Sequence, residues 1–236
     1  PEIKYVGLRG LTSVKYLFYD KDVDNKPTLP GFEYYDEQNG FVILENKYFV
    51  PMGYTYTKYV DKEQFDDFPK DSRDRLLLNS LYLTDEQIEK YGDLLTQSSD
   101  YELPYSNNYD YLSDCQNRAA EACYSFVTDN KGFTAKINLS RDNLVVFSVP
   151  YDEGWTATVD GQPVEIEEVN NGFMAVKVDA GSDKEIRFEY TTPGLFMGLA
   201  ISGGAVIILI AYLVLMGYLS KRDPDNYALR SGHHRI

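Results

Sequence analysis

The feature that most limits this chain is a run near its C-terminal end, LFMGLAISGGAVIILIAYLVLMGYL from Leu195 to Leu219, 25 residues without one charge. As a helix it rises about 37 Å, enough to cross a hydrocarbon core with some tilt. It is apolar on every face, whereas a helix at the edge of a soluble core keeps a polar stripe. We therefore expect a transmembrane helix over residues 194–220. Lys221 and Arg222 follow it at once, while the upstream flank holds Glu185 and Glu189 around Arg187. The positive-inside rule then makes residues 221–236 a cytoplasmic tail and puts residues 1–193 outside the cell membrane.

Upstream of the run the chain carries 19 Lys+Arg against 35 Asp+Glu, a formal charge of −16, and downstream it carries +2. An outer surface this acidic repels phosphate backbones, which excludes sequence-independent nucleic-acid binding. The first residues contain neither Met, nor a charged n-region, nor an apolar h-region to carry the acidic part across a bilayer. We expect the chain to be the C-terminal piece of a longer membrane protein, with the lipid bilayer and that protein's upstream helices as partners. Gly194, Gly198 and Ser202 recur every four residues, a small-residue face on which such a helix could pack.

Residue types exclude several chemistries. The histidines, His233 and His234, both lie in the expected tail, so Ser/His/Asp or Cys/His catalysis and histidine-rich metal sites lack their central residue outside. Asp20, Asp22 and Asp24 alternate like the start of a calcium loop. The sixth position is Asn25 rather than glycine and the twelfth Gly31 rather than glutamate, so no metal ligand is assigned. Asp66/Asp67, Asp85/Glu86 and Asp152/Glu153 read as surface or helix-start charges rather than acid/base pairs. An outside location permits a disulfide between Cys115 and Cys123. In one continuous helix they would lie about 12 Å apart, too far to bridge, although a helix ending near Ala120 would bring them closer. A bridge and two free, partly buried thiols both remain open.

The fold class expected is α+β. Residues 1–119 read as a mixed lobe, with a strand over Val14 to Tyr19, a Pro/Asp/Asn-rich loop to Pro30, and strand-like FVILEN, KYFVP and GYTYTKYV. Two helical pieces follow between Phe68 and Tyr91, the second opened by a Thr84 to Gln87 capping box and stopped at Gly92. DYELPYSNNYDYLSD is a tyrosine-rich loop; Tyr101, Tyr105, Tyr109 and Tyr111 could stack on sugar rings or plug the loop onto a sheet. From residue 120 to 193 short strands alternate with Asp142-Asn143, Asp160-Gly161, Asn171-Gly172 and Gly181-Ser182. This is the pattern of an antiparallel, jelly-roll-like β-sandwich of about seven strands, with one dry and one wet face per sheet.

FSVPYDEGWTATVDGQPVEIEEVNNGFMAVKVDAGSDKEIRFEYTTPGL, Phe147 to Leu195, resembles the C-terminal end of the bacterial YfhO family of multispanning membrane proteins. GLRGLTSVKYLFYD and ENKYFVPMGY resemble two earlier segments of that family. The resemblance implies an integral protein whose N-terminal helices are similar to GT-C glycosyltransferases. Such enzymes use a polyprenyl-phosphate sugar donor, and a divalent metal in some cases, to glycosylate surface polymers such as lipoteichoic acid in Gram-positive bacteria. Their catalytic and metal-contacting residues would lie upstream of Pro1, so no catalytic residue and no cofactor is assigned to this chain. The matching landmarks read as fold determinants: Trp155 as a core anchor, Gly154, Gly161 and Gly172 with Asp160 as turn formers, and Pro193 as the strand stop. The chain would then be an accessory or acceptor-binding domain that grips a cell-surface glycopolymer through Tyr101, Tyr105, Tyr109, Tyr111, Asp110 and Asp114. The alternative is a non-catalytic structural, assembly or carbohydrate-binding surface domain on a single anchor.

Overall fold

The computed structural model describes residues 5–24, 26–105 and 110–222. The chain opens with helix α1 (Val6–Leu11) and an antiparallel sheet of strands β1 (Tyr16–Asp20), β2 (Phe32–Gln38) and β3 (Phe41–Asn46), in the order β1-β3-β2. The β2–β3 turn is Asn39-Gly40, with φ of +52° and +81°. Both signs suit a two-residue hairpin whose twist matches its strands, which few residues besides Asn and Gly supply. Next come β4 (Tyr54–Thr55), β5 (Lys58–Val60), α2 (Lys62–Asp67), α3 (Arg73–Asn79), β6 (Leu81–Tyr82), α4 (Asp85–Tyr91), β7 (Thr96–Gln97) and α5 (Tyr111–Ala120). Three of these helices have a side-chain start signal, whereas α1 and α3 have none. Asp61 caps α2, the Thr84/Gln87 capping box opens α4, and Asp110 caps α5 by accepting the Ser113 N–H. Such caps satisfy backbone donors that have no partner inside the helix.

The C-terminal strands are β8 (Ser125–Thr128), β9 (Gly132–Leu139), β10 (Asn143–Pro150), β11 (Trp155–Val159), β12 (Gln162–Val164), β13 (Glu167–Val169), β14 (Phe173–Val178) and β15 (Gly181–Tyr190). They form a five-stranded sheet ordered β12-β11-β15-β9-β8 and a four-stranded sheet ordered β13-β14-β10-β4. QPVEIEEV, which reads as one strand, breaks at Glu165-Ile166, so that β12 lies in one sheet and β13 in the other. Between the sheets Phe133, Ile137, Val145, Phe147, Val176, Ile186 and Phe188 form one core.

The four-stranded sheet departs from the expected dry and wet faces. Its second face, carrying Leu144, Val146, Val169 and Ala175, is equally buried, against Leu11, Tyr54, Tyr56, Leu78, Leu81 and Leu83 of the N-terminal part. The consecutive run Leu144-Val145-Val146-Phe147 is the signature of a strand covered on both sides. Hydrogen bonds fix the same junction: Asn143 Nδ2 donates to Tyr56 O at 2.9 Å, and Tyr82 N to Asn170 Oδ1 at 2.9 Å. Segments 1–119 and 120–193 are therefore not separate lobes. The chain divides into one compact unit up to Tyr190 and a second from Thr191.

This arrangement also decides the cysteines. Both are free and buried, because Cys115 packs into the core on the helical side of the four-stranded sheet and Cys123 into the core between the sheets. Desolvation pushes their thiols up to about 11 and about 12. The disulfide reading is thus corrected to two free thiols.

In the second unit α6 (Leu195–Arg222) includes the stretch Leu195–Leu219, whose most apolar 18 residues have a mean hydropathy of 2.6, long and apolar enough to cross a membrane. Gly194, expected on the small-residue face of this helix, lies just before it at φ +76°, where a side chain would strain the backbone. Leu195 N donates to Thr192 O at 3.2 Å, so Pro193-Gly194 is the turn into the helix. Gly198 and Ser202 are helical, four residues apart on one face.

Candidate functional site

The helix α2 and strand β7 enclose a groove of about 460 Å³ lined by Asp61, Gln64, Gln97, Asp100 and Tyr105 among others. Its floor is a ladder of side chains that hold one another. Asp61 Oδ1 accepts the Gln64 N–H at 2.9 Å, and its Oδ2 accepts from Gln97 Nε2 at 2.7 Å. Gln64 Nε2 donates to Ser98 O at 2.8 Å and to Asp100 Oδ1 at 2.9 Å. Gln64 Oε1 is buried and has no hydrogen-bond partner, an acceptor whose desolvation is uncompensated until a donor reaches it. Tyr105 is 41% exposed, and its ring rests on Phe68 with centroids 4.9 Å apart. Beside the groove Glu102 accepts from Lys58 Nζ at 2.6 Å and from Ser99, which together hold its carboxyl down at about 2. The chemistry offered is a supported aromatic face beside fixed carboxylate and amide groups, which suits a ligand rich in hydroxyls.

The tyrosine-loop residues do not form one surface. Tyr101 is 95% exposed and Tyr105 lines the groove, but Tyr111 is buried in the core beside Cys115. Asp110 serves as the α5 cap, and Asp114 is buried, accepting from Asn79 Nδ2 at 2.9 Å while desolvation raises its carboxyl. Tyr109 lies outside the described residues. The correction is physical. Tyr111 and Asp114 occupy the first turns of α5, whose inner face packs on α3, so helical spacing turns them inward. Asp61, Gln64 and Gln97 were invisible as a group, because a turn, a helix and a parallel strand bring them together from 36 residues apart.

The fold-determining landmarks have the following places. Trp155 is half-buried at the rim of the intersheet core, its ring 5.8 Å from Phe133 and 5.1 Å from Tyr190. Asp160 and Gly161, at φ +50° and +77°, turn β11 into β12, and Asp160 also accepts from Lys184 Nζ at 2.9 Å. Gly172, at φ +128°, closes the β13–β14 hairpin, and Gly154 N donates to Asp152 Oδ1 at 2.8 Å. Among the described residues no group of three or more His, Cys, Asp or Glu is arranged to hold a metal ion.

Residues 97–202, from β7 through both sheets into the start of α6, match the family model described as bacterial membrane protein YfhO. The match covers 106 of the chain's 236 residues, and over that stretch the chain is similar to the family. A curated relative, the uncharacterized protein YfhO of Bacillus subtilis (strain 168), is 26% identical over 124 residues, covering 52% of this chain and 14% of the relative. The chain thus spans a small part of that YfhO relative's length. No solved structure matches the chain. The YfhO match and α6 agree on a membrane-associated protein, with α6 as its helix of membrane-spanning character.

Proposed function

We propose that the unit up to Tyr190 is the extracytoplasmic, acceptor-contacting domain of a longer YfhO-like glycosyltransferase that uses a polyprenyl-phosphate-linked sugar, with α6 as its membrane helix and residues 221–236 in the cytoplasm. The observation that carries the reading is the groove at Tyr105, where an aromatic face and an unsatisfied Gln64 acceptor lie beside Asp61 and Asp100. Its walls favour neutral, hydroxyl-rich sugar units of a cell-surface polymer over its phosphates, since the carboxylates repel anions. In this reading the donor, any divalent metal and the reacting groups belong to upstream segments. The domain's part is to hold the acceptor.

The test replaces Tyr105 and Gln64 together by alanine in the full-length protein and measures surface-polymer glycosylation in cells. A several-fold loss at unchanged membrane abundance supports acceptor contact; wild-type glycosylation rejects it. A purely structural role is the second reading. It is favoured by the tyrosines Tyr54, Tyr56, Tyr59 and Tyr111, which are all buried at the junction between helices and sheet.

A further inference from the structure

Arg118 lies in the last turn of α5 and is 4% exposed. Its guanidinium stacks over Tyr56 at 4.1 Å from the ring centroid, and its Nε and one terminal nitrogen are buried without any hydrogen-bond partner. A buried cation of this kind is normally bound by a carboxylate or by several carbonyls, because an arginine cannot shed its charge. Two carboxylates are near in sequence, and neither hydrogen-bonds the guanidinium, although the Asp114 charge acts on it from beyond ion-pair distance. Asp114 accepts instead from Asn79 Nδ2, and Glu121 accepts from Thr55 Oγ1 at 3.1 Å and from Ser140 Oγ at 2.8 Å.

The same arginine lines a cavity of about 610 Å³ together with Asn117, Thr57, the exposed Arg141 and the Glu121 carboxylate, whose oxygens accept from the lining hydroxyls of Thr55 and Ser140. Two arginines, an amide and three hydroxyl side chains therefore line one space with a single carboxylate, Glu121, already occupied by two of those hydroxyls, in a unit whose overall charge is strongly negative. The planar fork of arginine matches the oxygens of a phosphate group in pairs. The volume exceeds what a bare phosphate needs and leaves room for an attached organic part. We propose that this cavity, separate in its lining residues from the Tyr105 groove, is a binding site for a phosphate-class oxyanion, with Arg118 as its buried anchor and Arg141 as its outer contact. The site does not depend on the glycan reading. A phosphate borne by a polymer or lipid headgroup and a free phosphate share this chemistry.

The test uses the full chain in polyoxyethylene-ether micelles, which carry no sugar, phosphate or carboxylate. Thermal unfolding followed by Trp155 fluorescence is recorded against inorganic phosphate, and separately against glycerol phosphate, up to about 50 mM at pH 7 with chloride-matched controls, since a ligand specific to the folded state raises its midpoint saturably. The expected result is a saturable rise that Arg141→Gln weakens several-fold and Arg118→Lys, which keeps the charge and loses the fork, weakens at least tenfold. Tighter binding of glycerol phosphate assigns the site to an esterified phosphate, and equal binding assigns it to the free ion. Arg141 is exposed, so Arg141→Gln keeps the test valid if Arg118→Lys fails to fold. A rise no larger than chloride gives, or one unchanged in Arg141→Gln, overturns the proposal.

Discussion

Leu78→Ala tests whether the helical part and the sandwich stand or fall together. Leu78 is fully buried on the helical side of the four-stranded sheet, and its δ carbons sit about 3 Å from where a Gly10 side chain would begin. Removing three buried carbons at about 0.8 kcal/mol each loses about 2.4 kcal/mol of transfer energy. A residual cavity of about 60 Å³ at about 24 cal/mol per Å³ adds about 1.4 kcal/mol. With a urea slope of about 2.5 kcal/mol/M, a loss near 4 kcal/mol lowers the midpoint by about 1.5 M. The protein supplies its own probes: Cys115 reports the helical-side core, while Cys123 and the single tryptophan, Trp155, report the intersheet core. Thiol alkylation at increasing urea, read by mass spectrometry beside Trp155 fluorescence, should show all three midpoints falling together. If Cys115 moved while Cys123 and Trp155 kept their wild-type midpoints, the shared-sheet argument would be wrong.

Four further outcomes follow from the same geometry. Thr84→Ala should cost about 1 kcal/mol of stability by removing the α4 capping box, with Thr84→Ser nearly neutral, as checked by denaturant midpoints. Tyr111→Ala should destabilise by about 3 kcal/mol while Tyr101→Ala stays within about 0.5 kcal/mol, and equal effects would contradict their assigned burial. At pH 8 both native thiols should resist iodoacetamide, since less than about a thousandth of each is thiolate and both are buried; rapid stoichiometric labelling would refute this. Glu102 and Asp129 are each held at about 2, below their ordinary values of 4.5 and 3.8, by Lys58 and Ser99 and by Arg187 and backbone N–H groups respectively. Their contribution is present at neutral pH and is lost as pH falls from about 5 to 2. The Glu102→Gln, Asp129→Asn double variant should therefore lose less stability between pH 6 and pH 3 than the wild type does.

Sequence made some of this legible and hid the rest for identifiable reasons. The membrane helix, the α4 capping box and most sandwich strands followed from local signals: absence of charge, cap residues and Asn-Gly or Asp-Gly turns. Strand β2 escaped because Tyr34, Tyr35 and Asp36 do not alternate cleanly around its bulge, and the Asn39-Gly40 turn that closes its hairpin went unread. The second buried face of β10 was written in Leu144-Val145-Val146-Phe147, but what covers it is 60 to 130 residues upstream and leaves no local trace. At the candidate site Tyr105 was identified for its aromatic ring. Its companions Asp61, Gln64 and Gln97 are ordinary surface types whose meaning comes only from their hydrogen bonds. Arg118 was concealed in the same way, since an arginine at the end of a helix normally points to solvent.

The central proposal, that the unit up to Tyr190 holds sugar units at Tyr105, is tested most directly by saturation-transfer NMR. The full chain in polyoxyethylene-ether micelles would be titrated with neutral hexose oligosaccharides, beside the Tyr105→Ala variant. The account predicts transfer to sugar-ring protons that disappears in Tyr105→Ala while the fold, read from Trp155 fluorescence, is unchanged. No transfer, or transfer that persists undiminished in Tyr105→Ala, would contradict it.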